Sequence, residues 1–387
     1  MKKTARTIID YMEEYGSMDL DALAFNEVDS LILCQLSYLK YDSHLHALSE
    51  KKHGTPLHVL AGSDGIDTLF EDKRYEKNNR ALFFAAAESK RFGGMKLNNY
   101  VSVLDESWEV QFCALTYLFP NGLQYVAYRG TDETLVGWKE DFNMALFSPV
   151  PAQEMALKYL NRYAAGVHGN FFLGGHSKGG NLAVYAASHC NDSVRERIEL
   201  VYNHDGPGFP PGTVMETEGF QKVCKRIRKY MPHSSIVGML MESHEPYRIV
   251  ECKRFGILQH DPYNWIVDGT AFRRVSNIYE HVAVRNESVN RWIADMSDEE
   301  RHVFVNTLYN VMTASGAKTL IDIMSDFKSN SKAMTAAIDA EDEKTREMLH
   351  DILTLLFNCL QETMQLKVAE RIQPGWKKLK EEIEKWS

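Results

Sequence analysis

"FFLGGHSKGGNLAVYAAS", residues 171–188, decides the fold. Two aromatics and a leucine run into paired glycines. His176, Ser177 and Lys178 follow, then a second glycine pair and an apolar stretch at helical spacing. A short strand that ends where a helix begins gives Gly175-His176-Ser177-Lys178-Gly179 the G-x-S-x-G pattern of a sharp strand–helix elbow. Glycines two before and two after the serine let the two backbones approach, while the serine itself takes a strained conformation. Its hydroxyl then stands at the carboxyl end of the sheet, above a helix N-terminus whose positive potential suits a developing oxyanion. The competing reading is a glycine-rich turn that only packs or that cradles phosphate. The phosphate patterns G-x-x-x-x-G-K-[ST] and G-x-G-x-x-G are missing from the stretch, although Lys178 gives it a superficial likeness.

Working outward, strands and helices alternate. Residues 108–119 and 123–130 are β-rich and are joined across Asn121-Gly122, a strong hairpin signal. A helix at 153–167, a strand at 170–176, a helix at 178–190, a strand at 198–206 and a helix at 216–230 follow, then strand-like runs at 234–241 and 247–252. This order predicts an α/β fold: a mostly parallel central sheet, helices on both faces and an antiparallel hairpin at one edge. Helical patterns precede it at 4–15, 25–42 and 67–93, the last ending on Gly93-Gly94 as a C-cap. Amphipathic helices return at 289–314 and 341–372, and Pro374-Gly375 breaks the second. The expected division is an N-terminal helical region over 1–80 packing on the core, the core over 81–285, and a C-terminal helical appendage over 286–387.

Composition bounds the function. Of 387 residues 44% are hydrophobic and 25% charged, as in a water-soluble globular chain. The net charge of −9 argues against nucleic acid or an anionic membrane as partner. The basic run at 222–229 reads as one solvated helix face. No apolar stretch is long enough to span a bilayer, and the first 16 residues turn acidic before any signal-like core forms. Cys34, Cys113, Cys190, Cys224, Cys252 and Cys359 are scattered, without CxxC or histidine-rich ligand spacing. A reduced, cytoplasmic protein without structural metal is expected.

An activated serine needs a base. His260, in "GILQHDPYNW" after the last strand-like segment, has the chain order serine, acid, histidine of α/β-hydrolases. His244 lies between two strands and His281 starts a helix, so both are weaker. His176 adjoins the serine on a strand and points to the opposite face, which makes it structural. Two carboxylates compete as the acid: Asp205, at the end of the strand after the elbow helix, and Glu242, after 234–241. Asp205 is preferred, although Asp is also at home in its "DGPG" turn. Asp261 is too close to His260 in sequence to orient its ring. Backbone N–H donors for an oxyanion are expected from Lys178, next after the serine, and from Gly130-Thr131, where a strand enters a loop; the Thr131 hydroxyl could add a bond.

Together "VAYRGTDETLVGWKEDF", "GGHSKGGNLAVYAA" and "QHDPYNW" resemble the class-3 (fungal-type) lipase branch of the α/β-hydrolases over about residues 80–285. Nearly the whole chain, with "FNEVDSLILCQLSYL", "HDGPGF" and "SIVGML", resembles a bacterial family of lipase-like hydrolases, Mbeg-like. The resemblance implies the α/β-hydrolase fold, Ser177 as nucleophile, His260 as base, and Thr131 and Lys178 as oxyanion donors. It makes Trp138 and Asp141 structural. The chain departs from the lipases twice: Ser235 stands where their acid falls, and Lys178 replaces an apolar residue in the elbow.

The expected activity is hydrolysis of a carboxylic ester, the substrate a small-molecule ester or lipid, through Ser177, His260 and Asp205, with no metal or organic cofactor. Two alternatives stay open: a catalytically inactive interaction protein on the same fold, and an acyltransferase or thioesterase using the same serine.

Overall fold

The computed structural model describes residues 5–45, 54–71, 75–132, 134–254, 256–276, 290–291, 296–319, 322, 327–343, 345–346 and 349. At its centre is an eight-stranded sheet whose spatial order follows the chain, β1 to β8. The strands are β1 (Thr55–Pro56), β2 (Lys96–Asp105), β3 (Val110–Leu118), β4 (Gln124–Tyr128), β5 (Phe171–His176), β6 (Ile198–His204), β7 (Ile227–Pro232) and β8 (Tyr247–Val250). The first four pair antiparallel, and β4 to β8 run parallel. The predicted hairpin pairs Leu118 with Gln124 around Asn121-Gly122, with Gly122 at φ 90°. This is the mostly parallel sheet of an α/β-hydrolase, with an antiparallel edge four strands wide.

The two faces of the sheet are covered by different parts of the chain. Among the described residues the helices used below are α1 (Ile8–Tyr15), α2 (Glu27–Leu36), α3 (Glu76–Glu88), α4 (Leu135–Leu146), α5 (Pro151–Ala165), α6 (Lys178–His189), α7 (Glu218–Val223), α8 (Asp298–Thr313) and α9 (Phe327–Asp339). Strand periodicity sends Leu115, Tyr117, Tyr125, Ala127, Tyr202 and Tyr230 to one face, against α1, α2 and α3. Phe112, Ala114, Val126, Tyr128, Leu173 and Val201 go to the other, against α5, α6 and α7. The crossovers between consecutive parallel strands thus share one face, as a constant hand of connection requires, and the N-terminal helices cover the face that remains.

Nearly every residue of α2 is buried, the polar Asp29, Ser30 and Gln35 included. The helix starts on a reciprocal cap: Asn26 Oδ1 accepts from Val28 and Asp29 N–H, and Asp29 Oδ2 accepts from Asn26 N–H at 2.9 Å. Its Ser30 hydroxyl reaches the sheet, at 2.7 Å from the Tyr125 hydroxyl and 2.8 Å from His204 Nε2. On the other side of the molecule α8 and α9 build a smaller core with Leu135 and Leu146 of α4. A backbone bond from Leu135 N to Lys318 O, 2.9 Å long, ties the start of α4 to that region.

Several expectations change. Residues 216–230 are not one helix: α7 ends at Val223, and Ile227 opens β7. The strand was hidden because Lys229, which helical spacing assigns to solvent, is fully buried beside Glu245 at 3.6 Å. Residues 234–241 form a turn with one 3-10 step at Val237–Met239. Residues 67–93 split into a 3-10 turn (Ile66–Phe70) and α3, which ends at Glu88; Gly93 lies beyond it, its N–H on Ser89 O. Strand β2 and helix α9 were not foreseen, and α2 ends at Leu36, short of the expected 42. Most of 341–372, with His281 and Pro374-Gly375, lies outside the described residues. Among the described residues no helix is long and apolar enough to cross a membrane.

Candidate active site

Ser177 joins β5 to α6 with φ 58° and ψ −134°, a conformation that costs a non-glycine residue energy. Its surroundings enforce it. A Cβ on Gly175 would lie 2.1 Å from Gly179 O, and one on Gly179 would lie 2.1 Å from Tyr128 O, so the backbones of β5, α6 and β4 touch where the glycines are. Ser177 N–H donates to His204 O at 3.0 Å, and Ser177 O accepts from Gly180 N–H at 2.8 Å. These bonds use the serine's main chain only; its Oγ has no hydrogen-bond partner among the described residues.

Asp205 follows His204 at the end of β6, buried and also at positive φ, 55°. Its Oδ2 lies 2.7 Å from His260 Nδ1, and its Oδ1 accepts from Ser235 Oγ at 2.5 Å. Ser235, which stands where the resemblance places the acid of the lipases, thus donates to the Asp205 carboxylate. Ser235 Oγ also accepts from Gly238 N–H at 2.9 Å, which folds the 234–241 turn over Asp205. The other carboxylate goes elsewhere: Glu242 is exposed, its main chain bridged to Phe209. His244 is exposed as well. Asp261 caps its own turn by accepting from Tyr263 N–H at 2.9 Å.

The loop that carries His260 is anchored by a residue the sequence did not flag. Gln259 is fully buried. Its Oε1 accepts from Ser234 N–H at 2.8 Å, its Nε2 donates to Arg254 O at 2.7 Å, and its carbonyl accepts from Trp265 Nε1 at 2.8 Å. A glutamine beside a candidate base, in a segment without periodicity, carries no pattern to detect. His176 is oriented against the layer of N-terminal helices, as strand alternation requires, but it also meets this loop: its Nε2 lies 2.8 Å from His260 O. Ser177 is therefore bracketed twice, through His204 to Asp205 and through His176 to His260.

Thr131, expected from the sequence as a donor to an oxyanion, lies within the loop between β4 and α4. Its Oγ1 donates to Asp141 Oδ1 at 2.7 Å. That bond spends the hydroxyl hydrogen on Asp141, so the extra bond expected from the Thr131 hydroxyl is not available while Asp141 is ionised. About a third of the Asp141 side chain reaches solvent (30%), yet desolvation pushes its pKa up to about 6 against the pull of Lys178 and Thr131. Trp138, one turn before Asp141, is half-buried, 6.3 Å from the Phe142 ring.

The Lys178 side chain, the elbow's departure from the lipases, is buried under α6, with Nζ at 2.9 Å from Gln111 O, 2.7 Å from Gln111 Oε1 and 2.9 Å from Glu140 Oε2. Its charge is paired inside the fold. As the first residue of α6, Lys178 still offers a backbone N–H that the helix leaves unused.

A sequence profile described as Mbeg1-like matches residues 86–310. Solved structures give weaker likenesses. The native Rhizomucor miehei lipase propeptide complex aligns at 12% identity and TM-score 0.32, over 55% of this chain and 70% of that one. A putative dienelactone hydrolase from Klebsiella pneumoniae subsp. pneumoniae MGH 78578 aligns at 12% identity and TM-score 0.27, over 52% of this chain and 99% of that one. No curated protein matches the chain.

Proposed function

The chain belongs to the Mbeg1-like family, and from the geometry of its elbow we propose that it is a serine hydrolase of carboxylic esters. The observation that carries the reading is the 2.7 Å contact of His260 Nδ1 with the buried Asp205 carboxylate, beside a serine held at positive φ whose hydroxyl has no partner among the described residues. A carboxylate on Nδ1 leaves Nε2 as the basic nitrogen and stabilises the imidazolium that forms when it takes a proton. In the proposed sequence Ser177 Oγ attacks the ester carbonyl carbon as its hydrogen passes to His260 Nε2. The carbonyl oxygen takes the negative charge between the N–H groups of Lys178 and Thr131. When the tetrahedral centre collapses, the bond to the alcohol oxygen breaks and His260 returns the proton to it. Water, deprotonated by the same nitrogen, then cleaves the acyl-serine, releasing the acid and restoring the hydroxyl.

An inactive fold is the less favoured alternative, because the acid missing from the lipase position has a replacement in contact with the histidine. Hydrolysis of p-nitrophenyl esters from acetate to decanoate tests the reading. Ser177→Ala and His260→Ala are expected to lose at least about a thousandfold in kcat, and Asp205→Asn about ten- to a thousandfold. Hydrolysis that survives in Ser177→Ala would remove the proposal.

A further inference from the structure

The elbow histidine has a task beyond packing. His176 is almost fully buried (5% exposed), and both of its ring nitrogens are engaged. Nε2 lies 2.8 Å from the carbonyl oxygen of His260, and Nδ1 lies 3.1 Å from the Tyr38 hydroxyl. A carbonyl only accepts, so Nε2 carries the hydrogen; the neutral ring then accepts at Nδ1, and Tyr38 donates to it. The two imidazoles lie 4.5 Å apart, tilted by 33°.

We infer that His176 is a positioning residue that sets the distance between nucleophile and base: it is the chain neighbour of Ser177, and it holds His260 by that residue's own main chain. The inference rests on the serine-hydrolase reading above. Asp205 holds only Nδ1 of the His260 ring, and a ring held at one atom still pivots about that contact. Gln259 and Trp265 hold the loop to the turn after β7 and to itself, not to the elbow. The bond from His176 spans 84 residues of chain and joins positions 176 and 260 in one step, so it fixes the backbone from which the His260 ring reaches toward Ser177. Tyr38 extends the same line into the chain just after α2, so the N-terminal layer braces the ring that holds the base. Proton transfer falls steeply when reacting atoms move by an ångström, which is why a bond to a carbonyl matters here.

The test measures kcat and KM for p-nitrophenyl acetate, together with thermal midpoints, in His176→Leu, His176→Gln and His176→Asn. The glutamine amide nitrogen replaces Nε2 and can reach His260 O; the shorter asparagine cannot. His176→Leu and His176→Asn are expected to lower kcat about 30- to 100-fold with KM within about threefold of wild type, while His176→Gln stays within about fivefold. The inference is overturned if His176→Leu keeps wild-type kcat, or if His176→Gln falls as far as His176→Asn. If His176→Leu does not fold, the Gln–Asn comparison decides alone. Ser177→Ala run alongside separates the two claims. Activity lost in Ser177→Ala and kept in His176→Leu overturns the positioning role only; activity kept in Ser177→Ala removes the hydrolase reading and this inference with it.

Discussion

His204 and Asp141 show how burial sets charge, residue by residue. His204, on β6 between Ser30 and the Tyr230 ring, is fully buried, and burial pushes its pKa from 6.5 down to about 3. The unfolded chain therefore takes up a proton that the folded chain refuses, and this group costs stability progressively as pH falls from about 6.5 toward 3. Asp141 has the opposite sign. Its carboxyl is raised from 3.8 to about 6, so the folded chain takes the proton first, and this group adds stability as pH falls from about 6 toward 3.8. Urea unfolding at pH 7 and pH 4.5 separates them. His204→Gln, whose amide can still donate to Ser30, is predicted to lose less stability than wild type between the two pH values, and Asp141→Asn to lose more. Equal losses in all three proteins would refute both assignments. Neither residue could be sorted this way from sequence: His204 reads there as one more strand residue, and Asp141 only as a structural position implied by the resemblance.

At the scale of elements, the contact of α6 with β3 and α4 depends on one buried charge cluster. Glu140 is fully buried and accepts from three directions: Gln111 N–H at 3.0 Å, Ala152 N–H at 3.0 Å and Lys178 Nζ at 2.9 Å. Removing the ammonium leaves a carboxylate with two neutral donors and no counter-charge. Lys178→Met is predicted to lower the unfolding free energy by about 3–5 kcal/mol, and adding Glu140→Gln to recover much of it. Denaturant midpoints of wild type, single and double variants measure this; a Lys178→Met protein as stable as wild type would contradict it. The same physics explains which elements were legible. The Asn121-Gly122 hairpin and the β5–elbow–α6 unit were read correctly, because turn chemistry and apolar runs are local signals. Strand β7 was missed because Lys229 and Glu245 pair inside the protein, and buried charges break the alternation that marks a strand. Asp205 was preferred over Glu242 in the sequence by its place alone, since its contacts with Ser235 and His260 depend on loops that carry no local pattern.

At the scale of the whole molecule, the sheet is finished by segments far apart in sequence. The crossover helices cover one face, the N-terminal helices the other, and α8 and α9 pack on the helix that follows the Thr131 loop. The fold class was legible because alternating strands and helices admit few arrangements. The source of the second layer was not, because amphipathic helices announce that they pack and not where. The central claim is that this assembly brings residues from β5, β6 and the 256–260 loop together to activate a single hydroxyl. Its most direct test is mass spectrometry of the intact chain after exposure to a fluorophosphonate at pH 8, followed by peptide mapping. The account predicts one adduct, on Ser177, formed at a rate that drops at least about a hundredfold in His260→Ala. No adduct, or labelling of Ser177 as fast in His260→Ala as in wild type, would contradict it.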